Sequence, residues 1–291
     1  MSSVTDVRTL VDWLPPTRPT TVLDIGANPI DGDPPYKAML ASGLCSVIGF
    51  EPQPEALAEL NRRKGPYETY YPLVIGDGGS HTLHVCRASG MTSLLEPDES
   101  RLRLFNGFDD WGTVIERVPV ETTRLDDCAT GPFDLLKIDV QGAELMVFAN
   151  GRQRLAEAVA VQTEVSFVPL YRDQPTLGEI DVELRSQGFV PHAMTALKRW
   201  PIAPTVFDGD PRVPGNQILE ADVVYVRDFG RADVMTDEQL TQLALIAHFV
   251  YGSADLAYRC LLHLVQRSAV SPAQVSEYLR IADRDGRGPT S

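Results

Sequence analysis

The first residues able to do chemistry sit on one short segment. Asp24 is followed by Gly26, Ala27 and Asn28 in the run VLDIGAN, which reads as a buried strand turning on a glycine. Glycine lets the backbone bend sharply and lets a ligand approach it closely. Open parallel sheets hold their ligands beyond the carboxyl ends of the strands. The turn has no GKS/T, and Asn28 stands where GxGxxG places its second glycine, so it is neither a phosphate loop nor the dinucleotide fingerprint. One strand–helix unit later, Glu51 and Pro52 close the next strand. A carboxylate there suits a ribose, because each oxygen can accept one of two vicinal hydroxyls. Asp77 closes the following strand and is placed to accept from the exocyclic amine of an adenine. Acids at three successive strand ends disfavour a pyrophosphate and favour a cationic or zwitterionic nucleoside. S-adenosylmethionine, with a sulfonium, an adenosine and an amino-acid end, fits that description.

A fourth segment, LLKIDVQGAE over 135–144, puts Lys137 and Asp139 on one face of a strand. Asp139 falls at the strand end, near the methyl-donor end of the cleft. Gln141, Gly142 and Glu144 follow in a turn that opens a helix, and Glu164 is expected at the next strand end. Two carboxylates on adjacent strand ends can bind a divalent cation such as Mg2+ or act as a general base. Asp139 and Glu164 are therefore candidate catalytic residues and candidate metal ligands, with His192 as a third catalytic candidate. Trp200, Phe207 and the Pro- and Gly-rich loop over 201–215 are candidates for a lid that stacks on a sugar ring.

The elements that must hold these residues alternate. Strand-like runs at 21–26, 46–50, 70–75, 81–87, 114–123, 133–139, 158–165, 189–194 and 221–227 are separated by helical or loop segments. Such alternation implies an α/β fold with parallel crossovers and helices on both faces of the sheet. A helical N-terminal segment is expected over 1–20, a ligand-binding domain over 21–230, three amphipathic helices over 234–284 and a disordered tail over 285–291. The helical segment carries an apolar stripe at Leu240, Leu243, Ile246, Ala247 and Val250, which packs on the sheet or forms a homodimer interface.

Composition narrows the partners. The chain has 291 residues and a formal net charge of -14, which repels phosphate backbones and argues against nucleic acid and anionic membrane surfaces. No apolar run is long enough to span a membrane, and residues 1–20 lack the apolar core of a signal peptide. Four widely spaced cysteines form neither a disulfide framework nor a zinc site, so a cytoplasmic location with reduced, buried thiols is expected.

Together these segments resemble the FkbM-type family of S-adenosylmethionine-dependent methyltransferases. The resemblance rests on DIGAN at 24–28, GFEP at 49–52, LDD at 125–127 and LKIDVQGAE at 136–144, in that order, and covers about residues 21–227. It implies a Rossmann-like class I methyltransferase fold with a mostly parallel, seven-stranded sheet whose last strand is antiparallel. It further implies O-methylation of a hydroxyl on a sugar or natural product. Asp24, Gly26, Ala27 and Asn28 would lie at the methionine end of the donor, Glu51 and Pro52 at the ribose, Asp77 near adenine and Asp139 beside the sulfonium. Thr92 and Ser93 would lie near the cleft mouth. Two departures stand out: the segment after Asn28 differs from the family's usual Ile-Gly, and Gln141 replaces a frequent Glu. A non-catalytic protein of the same fold, serving as a binding or scaffold partner, is the competing reading. A dehydrogenase is disfavoured by the missing GxGxxG.

Overall fold

The computed structural model describes residues 10–11, 14, 16–28 and 32–284. The N-terminal helical segment falls largely outside them, and the tail at 285–291 wholly outside.

Ten strands and, counting α-helices of five residues or more, seven helices build the described chain. In order these are β1 (Thr20–Ile25), α1 (Lys37–Ala41), β2 (Cys45–Phe50), α2 (Pro54–Arg63), β3 (Glu68–Tyr71), β4 (Val74–Gly76), β5 (Ser80–Cys86) and β6 (Val114–Arg124). Then come β7 (Leu135–Ile138), α3 (Glu144–Ala149), β8 (Ala160–Ser166), α4 (Leu177–Ser186), β9 (Phe189–Arg199), β10 (Ile218–Arg227), α5 (Asp237–Phe249), α6 (Ala254–Gln266) and α7 (Pro272–Arg284). The main sheet has seven strands in the order β3-β2-β1-β7-β8-β10-β9. All of its neighbours pair in parallel except β10, the last strand in sequence, which lies antiparallel between β8 and β9. This is the arrangement the resemblance implies.

A second sheet, β4-β6-β5, branches from the first. The sequence reads 70–75 as one strand, but the chain divides there: β3 ends at Tyr71 in the main sheet and β4 starts at Val74 in the small one. Pro72 lies in the gap and cannot donate to a ladder, so the break falls where pairing would fail.

The main sheet is apolar on both faces, but not along its whole length. On one face Leu23, Ile25, Leu136, Ile138 and Val161 pack with Val147 and Phe148 of α3 and Ile180 and Leu184 of α4. On the other face Val22, Leu135, Ala160 and Val224 pack with Leu240, Leu243, Ile246 and Ala247 of α5 and Leu256, Leu261 and Leu264 of α6. The apolar stripe offered to a second copy is thus turned inward: those four α5 residues are fully buried within the chain. α5 begins with a capping box at Thr236 and Gln239. Its buried Gln242 accepts a hydrogen bond from the Thr20 hydroxyl (2.6 Å) and donates to the Arg18 carbonyl (3.1 Å). The start of β1 and the C-terminal helices therefore share one core. All four cysteines are buried and free.

Above that core the same sheet face changes character. Two residues beyond Val22, Leu135 and Ala160, in the direction of the strands, stand Asp24, Lys137 and Gln162, with Asp222 of β10 beside them. Side chains alternate along a strand, so these share the apolar residues' face at its carboxyl-end half. The polar half is where ligands can sit.

Candidate active site

The glycine turn is built by close backbone approach. Gly26 and Ala27 donate to the Phe50 carbonyl of β2 (3.0 and 3.3 Å), and Asp139 donates its amide to the Ile25 carbonyl (3.0 Å). Gly26 has φ +77, and a Cβ on it would lie 1.9 Å from the Asp139 carbonyl oxygen. Only glycine fits between the ends of β1 and β7. Asp24, 3% exposed, takes a hydrogen bond from the Tyr36 hydroxyl and faces Lys137 Nζ at 3.6 Å.

At the end of β2, Glu51 is 2% exposed, and its Oε1 accepts from the Gln53 amide (2.7 Å). It lines a slot with Pro52, Phe50, Ile75, Leu83, Thr92 and Ser93. Asp139 lines the same slot.

The turn after β7 is held by a buried carboxylate. Glu144 Oε1 accepts from the amides of Val140 (2.9 Å) and Gly142 (3.2 Å). Burial pushes its carboxyl up to about 7, against the pull of those two amides. Gln141 and Gly142 both have positive φ (56° and 104°), so the turn is left-handed at two consecutive positions. Ser93 Oγ donates to the Gln141 carbonyl (2.7 Å), and the Tyr171 hydroxyl lies 3.3 Å from Gln141 Oε1. With its oxygen so engaged, the Gln141 amide nitrogen donates to Asp139 Oδ1 (2.8 Å) and Glu164 Oε2 (3.0 Å). One neutral amide thus bridges two carboxylates. Burial, then the charge of Asp139, holds Glu164 well above the ordinary carboxylate range.

Several expected positions move. Asp77 follows β4 in the small sheet, not a strand of the main one, and lines neither the slot nor its neighbours. Its Oδ1 accepts from the Gly79 amide (2.8 Å) and pairs with His81 (2.8 Å), so it shapes a local turn instead of receiving an adenine. His192 bonds through Nε2 to Ser253 Oγ (2.8 Å) at the start of α6, away from the carboxylates, and is no catalytic base for this cleft. Trp200 packs edge-on against Phe108 and Trp111 (5.2 and 5.8 Å between centroids) in a satellite core and does not form a lid. Glu164 lies inside β8, opposite Asp222 of β10, not at a strand end. For the cation placed on Asp139 and Glu164, no third His, Cys, Asp or Glu side chain among the described residues gathers with the pair, and the Gln141 amide stands between the two carboxylates. Gln141, Tyr171 and Ser93 are the network that sequence reading missed as a network. The departure at Gln141 was its one visible signal.

The model of the methyltransferase FkbM domain matches residues 24–191, more than half of the chain. The chain belongs to the FkbM methyltransferase family. It is 30% identical over 168 residues to the 2-O-methyltransferase NoeI of Sinorhizobium fredii (strain NBRC 101917 / NGR234), covering 55% of this chain and 68% of that protein. Among solved structures it is similar to an FkbM methyltransferase from Methylobacillus flagellatus KT (13% identity, TM-score 0.39, 72% of this chain and 43% of that one). It is also similar to the magnesium protoporphyrin IX methyltransferase of Synechocystis PCC 6803 with bound SAM (12% identity, TM-score 0.37, 77% and 79%). The family match makes the protein a methyltransferase, and the sheet order with its antiparallel β10 gives it the class I fold, so the scaffold and dehydrogenase readings fall away. No helix among the described residues is long and apolar enough to cross a membrane.

The family's donor, S-adenosylmethionine, fits the residues present. A buried carboxylate beside an apolar slot matches a nucleoside with a vicinal diol. Beyond Asn28 and Asp139 the slot opens into a broad cavity lined by Asp24, Ala27, Tyr36, Lys137 and Gln162. Acids and a lysine together suit an amino-acid zwitterion. The buried Gln162 Oε1 has no hydrogen-bond partner in the protein, which leaves that cavity an acceptor for a ligand's N–H.

Proposed function

We propose that the protein transfers a methyl group from S-adenosylmethionine to a hydroxyl of a sugar or a sugar-like small molecule. The observation that carries this reading is the half-buried carboxylate pair Asp139–Glu164, joined by Gln141, at the carboxyl-end side of the sheet next to the adenosyl slot. The 2-O-methyltransferase activity named for the S. fredii relative supports oxygen as the atom methylated. Bound there, the donor supplies an activated methyl carbon; the protein must align the acceptor oxygen and take its proton. In the transfer the acceptor O–CH3 bond forms and the S–CH3 bond breaks, its electron pair returning to sulfur. The acceptor proton goes to a carboxylate of the pair. Glu51 would accept the ribose hydroxyls, Asn28 and Asp139 would border the sulfonium, and Asp24, tied to Tyr36 and Lys137, would hold the turn in place.

Glu164 is the base in this scheme. Its raised pKa places a proton acceptor nearer to neutral pH than a solvated carboxylate would be, where general-base catalysis is most effective. A base works deprotonated, so the rate rises with pH through its folded-state pKa. The profile of kcat/KM should therefore climb above the ordinary carboxylate range. Glu164→Gln should remove that limb and slow transfer by about 10²-fold or more. A normal rate with an unchanged limb in the variant would assign the proton to another group. The function itself is tested by calorimetry with S-adenosylmethionine and by transfer of its labelled methyl group to a panel of glycosides and simple alcohols. Methylation at nitrogen or carbon alone would overturn the reading.

A further inference from the structure

Asp139 stands where three cavities meet. It lines the adenosyl slot, the broad cavity under Tyr36, and a third cavity walled by Arg87, Met91, Phe108, Leu170, Lys198 and Glu220. Besides Asp139, Asn28 lines both the slot and the broad cavity, Ser89, Gly90 and Gln141 line both the slot and the third, and Glu164 lines both the broad cavity and the third. A sulfonium has three substituents that diverge from one atom. With the adenosyl arm beside Glu51 and the amino-acid arm among Asp24, Lys137 and Asn28, one direction remains from the vertex at Asp139. It leads into the third cavity, past Glu164.

That cavity is built for an acceptor with an apolar face and a polar rim. Met91, Phe108 and Leu170 are buried members of the satellite core and form its apolar wall. Facing them, Lys198 of β9 pairs with Glu220 of β10, and Glu220 is only 9% exposed while the Lys198 side chain is 49% exposed. An ammonium with three donors beside a carboxylate can meet two neighbouring hydroxyls, one as acceptor and one as donor.

We propose that the acceptor enters through this third cavity, and that Lys198 and Glu220 are the specificity-determining pair, holding hydroxyls beside the one presented to Glu164. The proposal rests on the methyl-transfer reading above. It places the acceptor on the β8–β10–β9 side of Asp139 and leaves the broad cavity to the donor's amino-acid arm.

The test uses the full chain saturated with S-adenosylhomocysteine, with methyl glucoside, galactoside, mannoside and rhamnoside as probes in saturation-transfer NMR. Donor affinity is measured in parallel by calorimetry. Lys198→Met and Glu220→Gln should each weaken the best glycoside about tenfold, with donor affinity changed less than about threefold. Unchanged donor affinity also reports that the variants fold. Arg63→Met, in the lining of the broad cavity but of neither the slot nor the third cavity, should leave glycoside contact intact. Glycoside contact that survives both substitutions, or that is lost in Arg63→Met instead, overturns the proposal. A wild-type chain that binds donor but none of the glycosides overturns the pair as readers of sugar hydroxyls and leaves methyl transfer standing. A chain that binds no donor overturns the methyl-transfer reading itself.

Discussion

Replacing Asp139 with alanine is expected to lower methyl transfer by about 10³-fold while leaving the chain folded. Two features of the structure and the proposed donor placement set that size. Asp139 borders all three cavities, so no bound donor or acceptor can avoid it. Its Oδ1 is one end of the Gln141 bridge, so its loss also releases Glu164 from a fixed position. In the proposed placement of the donor, its carboxyl group stands beside the sulfonium. The fold should survive, because the link from β7 to β1 uses the Asp139 backbone amide and not its side chain. Asp139→Asn separates charge from shape: it keeps an oxygen to accept from Gln141 but removes the charge. Donor affinity should fall in both variants, and turnover in Asp139→Asn should be intermediate. Turnover with labelled donor, calorimetry and a thermal melt decide the matter. Full activity in Asp139→Ala would remove Asp139 from the chemistry.

The second large effect concerns backbone alone. Gly26→Ala should destabilise the fold by about 3 kcal/mol or more and abolish measurable donor binding. The added methyl would lie 1.9 Å from the Asp139 carbonyl oxygen, and a main-chain oxygen cannot rotate away as a side-chain end can. The positive φ of 77° adds its own cost. A comparison isolates the two. Gly209 has φ +75 but nothing within 4 Å of a built Cβ, so Gly209→Ala bears only the conformational cost, about 1 kcal/mol. Denaturant melts of the two variants, with donor calorimetry, read the difference directly. Equal destabilisation would mean that the approach of β1 to β7 is looser than the structure shows.

What sequence reading caught was local. An acid, a glycine and an asparagine in one turn, or a glutamate after a strand, are separated by so few bonds that their relative placement is nearly forced. Asp24, Gly26, Ala27, Asn28, Glu51, Pro52 and Asp139 accordingly all line the slot or the broad cavity. Asp77 failed because Pro72 lets the chain leave the main sheet, and a three-residue strand leaves little periodicity to read. His192 failed because its partner, Ser253, is 61 positions away, and a lone histidine carries no mark of which surface will cover it. The Gln141 network failed for the same reason: Ser93 and Tyr171 reach it from 48 and 30 positions away. The α5 stripe was visible as a stripe, but an apolar face does not say whether its own chain or a second copy will bury it.

The hydrogen bond between Thr20 and Gln242 also has a bearing on how the molecule comes into being. Its partners are 222 positions apart, and around it the first strand of the sheet shares a core with α5 and α6. Closing so long a loop is entropically slow, and no local contact can substitute for it. During synthesis β1 and β7 leave the ribosome long before the helices that cover their Val22 and Leu135 face. The nascent enzyme must therefore carry that greasy surface uncovered until its final helices arrive, which makes this half of the sheet the place where chaperones and off-pathway association compete for the chain.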